Sequence, residues 1–173
     1  MDAAVLRAKL KWPDVPDVYG WLRLDRRGNW RVRNPEAAAP EFDPIGNRSL
    51  RDFIGRNYSA DARGRWYFQN GPQRVFVSLA YAPFVYRLER GALLDQCGAS
   101  SAGAEAAWLD EEGSLVVLCR GGRLGILDDR DLAGVAEGLV LGEFRTGDRT
   151  VPVGRLTSET LEKGFGFIRE PAP

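Results

Sequence analysis

The 173-residue chain contains no histidine, two cysteines and one methionine. Without histidine, Ser-His-Asp and Cys-His catalysis is excluded, and so is a histidine-ligated zinc. Cys97 and Cys119 are too few and too far apart for a four-thiolate site. They also fall short of the fuller disulfide set usual in a secreted domain of this size, so two reduced thiols in the cytoplasm are expected. No apolar run approaches the length of a membrane span, and charges interrupt the one apolar stretch near the N-terminus. A cytoplasmic protein without membrane contact is therefore expected. Phosphate-cradling loops of the G-x-x-x-x-G-K-[ST] and G-x-G-x-x-G kinds are missing as well, and no cofactor is expected. A carboxylate pair acting as a small hydrolase remains the one enzymatic route, and nothing marks such a pair.

Charge is balanced overall but not along the chain. Residues 1–90 hold 16 basic and 10 acidic residues, whereas residues 91–173 hold 8 and 14. The asymmetry would steer an anionic partner towards the first half, or let the two halves attract each other.

Hydrophobic patterning gives the architecture. Residues 2–11 suit a short helix that Pro13 and Pro16 stop, and a helix this short must dock to persist. Tyr19–Arg33 reads as a hairpin turning at Asp25–Gly28, with Leu22, Leu24, Trp30 and Val32 on one face. Arg23, Arg31 and Arg33, with Trp21, take the other. Residues 34–48 read as a long loop, and Asn47 or Ser49 caps a helix running to about Tyr58. The clearest hairpin is Tyr67–Leu79, whose Asn70-Gly71 suits a tight turn. Phe84–Leu88 continues as a strand.

The second half repeats this grammar. Leu109–Gly113 matches Leu24–Gly28 and Val117 matches Val32 at a shift of 85. Phe144, Gly147, Val151 and Val153 match Phe68, Gly71, Val75 and Val77 at a shift of 76. The expected fold is α+β and β-dominated: two pseudo-repeated lobes, each hairpin, helix, hairpin and strand, with antiparallel sheets. A short helix and connector over 1–19 precede a basic lobe at 20–90. A linker at 91–106, rich in small residues, leads to an acidic lobe at 107–173.

Two resemblances follow from particular stretches. Lys163-Gly164-Phe165-Gly166-Phe167-Ile168 resembles the nucleic-acid-binding strand of cold-shock domains and the related strand of RNA-recognition motifs. That resemblance implies Phe165 and Phe167 as base-stacking platforms and Lys163 as a phosphate contact. Glu159, Glu162 and Glu170 flank the motif and oppose a phosphate ligand, which favours a buried closing strand. The aromatic run Gly64–Val75 is similar to that of an uncharacterised bacterial protein family and implies no activity.

Trp21, Arg23, Arg31 and Arg33 are the candidate binding residues, and Lys163, Phe165 and Phe167 the nucleic-acid alternative. The acidic runs Asp110–Glu112 and Asp128–Asp131 suit a hairpin turn and a helix start, so no metal is expected. The functional expectation is a non-catalytic binding module with a protein partner. A single-strand nucleic-acid binder is the alternative.

Overall fold

Hydrophobic alternation and turn chemistry build two sheet-containing units, seen in a computed structural model that describes residues 1–173. The first unit comprises Met1–Asp25, Asn29–Ala80 and Gly166–Pro173. It holds α1 (Ala3–Lys11), β1 (Val18–Leu24), β2 (Trp30–Arg33), β3 (Phe42–Pro44), α2 (Arg48–Arg56), β4 (Tyr58–Ala60), β5 (Trp66–Asn70) and β6 (Gln73–Leu79). The second comprises Arg26–Gly28 and Tyr81–Phe165. Its elements are β7 (Phe84–Glu89), β8 (Ala92–Asp95), β9 (Ala104–Leu109), β10 (Leu115–Cys119), β11 (Arg123–Leu127), α3 (Leu132–Val140), β12 (Glu143–Thr146), β13 (Arg149–Arg155) and α4 (Leu161–Phe165).

The six strands of the first sheet run in the order β3-β2-β1-β6-β5-β4. Only β1 and β6 are parallel, since a helix and several strands separate them in sequence. Leu22, Leu24, Phe68 and Val77 are buried on one face, as the alternation requires. Val32, assigned to the same face, is exposed near the end of its strand. Trp30 of β2 meets Tyr58 of β4 edge to face at 5.1 Å. Four strand steps at about 4.8 Å each would hold these rings far apart on a flat sheet, so the sheet curls strongly around this core. Helix α2 starts on Asn47, whose side chain accepts from Leu50 N–H, and sets Phe53 against Phe68 at 5.4 Å. Helix α1 docks through Val5, and Asp2 N–H donates to Asn57 Oδ1 at 2.7 Å.

In the second unit the order is β12-β13-β9-β10-β11-β7-β8. Here too the sheet curls, because Gly147 N–H donates to Gly91 O at 2.7 Å although these turns adjoin strands at opposite ends of that order. The repeat holds in register. In the first unit Leu22 stands between Val32 and Val77; in the second Ala107 stands between Val117 and Val153. Phe68 faces Val75, and Phe144 faces Val151. Both terminal hairpins turn on a glycine at positive φ, Gly71 at +57° and Gly147 at +54°.

A second device recurs four times. In Asp25–Gly28, Asp61–Gly64, Asp95–Gly98 and Asp110–Gly113, Asp Oδ1 accepts from the N–H four residues on, at 2.9, 3.0, 3.0 and 2.7 Å. Each Asp N–H donates back to that same residue's carbonyl, and each glycine has φ between +76° and +82°. The side chain replaces a ladder acceptor and glycine supplies the left-handed step, so the hairpin closes with its polar groups satisfied.

Several expectations need correction. The tight turn after β5 is centred on Gly71-Pro72, because Asn70 pairs with Gln73. The loop at 34–48 contains β3, and residues 91–106 contain β8 and the start of β9. The Phe84–Glu89 strand pairs in parallel with β11 in the seven-stranded sheet. Residues 165–168 form no strand: α4 ends at Phe165, Gly166 turns the chain at φ +68°, and Ile168 makes a single bridge with Arg65.

Candidate functional site

Pairing of β1 with β2 sets Arg23 directly opposite Arg31, so the expected basic strip exists as a sheet face. Its charges are partly occupied. Arg31 pairs with Asp25 at 3.1 Å and donates to Phe42 O at 2.7 Å. The Arg23 guanidinium lies over the Phe42 ring at 5.6 Å. Trp21 and Arg33 remain exposed.

The other predicted group is spread out. Phe165 is half-buried and packs edge to face on Trp108 at 5.5 Å in the second unit. Phe167 is buried in the first, and Lys163 is exposed on α4. A helix end followed by a bend gives the two rings no common strand face.

The acidic runs are structural. Asp110 is buried and accepts from Tyr81 OH at 2.6 Å and from the backbone N–H groups of Glu112 and Ser114. Burial opposes its charge, but these hydrogen bonds outweigh burial and hold its pKa below the ordinary value. Burial likewise opposes ionisation of Asp128, yet the Arg130 guanidinium and backbone N–H hold it at about 2. No group of three or more Cys, Asp or Glu side chains is arranged to hold a metal ion. Cys97 and Cys119 are free thiols, and burial pushes Cys97 up to about 12.

One region stands out, at α3 and β12. The helix sequence is Leu-Ala-Gly-Val-Ala-Glu-Gly-Leu-Val, almost wholly apolar, yet none of its residues is buried. Val140 is 87% exposed and the adjoining Leu141 72%. The other end of the helix is fixed: Asp131 accepts from Arg87 Nε at 2.7 Å and from Leu88 N–H at 2.8 Å. Gly138 allows close approach to β12, since a Cβ there would lie 2.9 Å from Glu143 O. A groove of about 430 Å³ follows, lined by Leu88, Val135, Gly138, Leu141, Glu143 and Arg145 among others. Neither Glu143 nor Arg145 has an ion-pair partner within the chain. The signal for this site in the sequence is the helix's lack of a polar face, Glu137 being its one charged residue.

Fold and site together define a β-rich protein built on a repeated sheet unit, with an apolar helix end beside a sheet edge. Residues 1–172 match the family described as "Protein of unknown function (DUF2946)", and the chain belongs to that family. No curated protein matches it. Among solved structures it is similar to a DUF1285 family protein from Silicibacter pomeroyi DSS-3. That likeness has 15% identity and a TM-score of 0.51 over 84% of each chain, and it shows a shared fold. A DUF1285 family protein from Shewanella baltica OS155 matches at 10% identity and a TM-score of 0.46, covering 67% of this chain and 90% of its own.

Proposed function

We propose that the chain is a protein-binding module whose docking surface is the C-terminal end of α3 with the neighbouring β12. The exposed pair Val140 and Leu141, at the end of an apolar helix with no buried residue, carries this reading. Contiguous apolar surface of this kind beside unpaired charges is what a partner covers, with the charges forming a polar rim. The alternative, a nucleic acid on the strip of Trp21 and Arg33, draws less support because Arg31 is paired with Asp25 and Arg23 lies on Phe42.

A photo-crosslinking side chain at Leu141, compared with one at exposed Arg120, tests the surface in living cells. Discrete adducts at Leu141, absent at Arg120 and lost on Val140→Asp, are expected. Equal labelling at the two positions overturns the reading.

A further inference from the structure

Helix α3 makes two choices that the chain alone does not explain. The first is Gly134, in the middle of the helix, where glycine is less favourable than alanine. Gly138, one turn on, has a reason within the fold, because β12 passes against it. Gly134 has none. Its φ is not left-handed, and a Cβ added there would meet no atom within 4 Å and would open onto the groove. The second choice is charge. Helices α1 and α2 end on cations, Lys9 with Lys11 and Arg56, as the negative end of a helix favours. The last turn of α3 has no cation and carries Glu137 instead. Glu137, Glu143 and Arg145 line the groove, and none of the three has an ion-pair partner within the chain. The groove thus joins apolar walls, from Leu88, Val135 and Leu141, to a net negative rim. Departures from local rules that nothing inside the chain compensates mark a surface shaped for something else.

Resting on the reading of this face as a protein-binding surface, we infer that the groove takes one large apolar side chain of the partner, aromatic or branched aliphatic, with a lysine or arginine beside it. The edge of β12 offers no room for a strand, since α3 closes on the Glu143 carbonyl and Gly91 O takes the Gly147 N–H. The groove, at about 430 Å³, has room for any single side chain. The anchor lies over Gly134, where the missing Cβ lets it approach the helix backbone, with Val135 and Leu141 beside it. The neighbouring cation meets Glu137 and Glu143 at the negative end of α3. Gly134 is therefore a specificity-determining residue that sets the depth of the groove. Glu137 sets the sign of the charge that enters with the anchor.

Short randomised peptides displayed on phage, selected on the full-length chain and counter-selected on Gly134→Leu, test the groove. Enriched peptides should share Trp, Phe or Leu beside Lys or Arg. A synthetic copy should bind the wild type. It should bind Gly134→Leu, which fills the groove, and Glu137→Lys, which reverses its charge, at least about tenfold more weakly. Gly134→Ala should raise the melting temperature by about 2–4 °C, and Gly134→Leu should melt no lower than the wild type. A lower melting temperature for either would give Gly134 a role in the fold and overturn the inference. Peptides without the apolar–basic pair, no enrichment, or equal binding to wild type and variants would overturn it too. Crosslinking at Leu141 separates this failure from failure of the surface. Adducts that persist in Gly134→Leu leave the surface and remove the groove; no adducts in the wild type remove the surface itself.

Discussion

The buried Arg65 guanidinium and the Asp61 carboxylate meet at 2.8 Å at both Nε and Nη2, four residues apart in one turn. Arg65 also lies 4.5 Å over Phe76, donates to Tyr19 OH and reaches Ala172 O at 3.1 Å. One cation thus joins a turn, two aromatic rings and the C-terminal segment. Arg65→Ala leaves the largely covered Asp61 carboxylate without its cation and should lower unfolding stability by about 3–5 kcal/mol. Urea titration measures this, and a loss below about 1 kcal/mol contradicts the role assigned to the pair.

Phe167 is 4% exposed, whereas Phe165 is only half-buried against Trp108. Phe167→Ala should therefore cost about 3–5 kcal/mol, and Phe165→Ala clearly less. Equal costs for the two, measured by chemical denaturation, would mean that both rings share one environment.

Gly64 sits at φ +76°, and a Cβ there would lie 2.1 Å from the Gly166 carbonyl oxygen. Backbone cannot yield as a flexible side chain can, so Gly64→Ala should displace the segment after Gly166. Limited proteolysis should then cut near Phe167 well before the rest of the chain. Wild-type cleavage kinetics in the variant would refute the close approach.

Acid should weaken the second unit through Asp128. Its folded pKa, about 2, lies below the ordinary 3.8, so its contribution is present above about 3.8 and is lost as pH falls towards 2. Because Arg130 is half-exposed, the loss should be on the order of 1–2 kcal/mol. Asp128→Asn should flatten the stability profile over that range while lowering stability at neutral pH. An unchanged slope would show that Asp128 titrates alike folded and unfolded.

Strong local patterns were legible from residues alone. The alternation of Leu22 and Leu24 with Trp21 and Arg23, and the shifts tying Phe68 to Phe144 and Leu24 to Leu109, give the hairpins and the repeat. The strands β3, β4 and β8 have three or four residues, too few for a period to register. Parallel pairing of β1 with β6 depends on how distant segments meet, which no local pattern encodes. Phe165-Gly166-Phe167 mimics a strand because two aromatics stand two apart. Helical spacing wins instead, since Leu161 and Phe165 are four apart, Leu161 is fully buried and Gly166 closes the helix. At the candidate site, the apolar sequence of α3 was visible. Its exposure was not, because which side of a helix is buried depends on what the fold packs against it.

The four Asp-x-x-Gly turns share one hydrogen-bonding frame made of the Asp side chain and backbone groups, and no side chain of the two middle residues enters it. Their middle pairs are Arg26-Arg27, Ala62-Arg63, Gln96-Cys97 and Glu111-Glu112. The frame tolerates two cations, one, none, or two anions without a change in backbone. Evolution can therefore rewrite the electrical character of each hairpin tip independently of the fold, and the opposite charges of the two halves of this sequence are partly written in that alphabet.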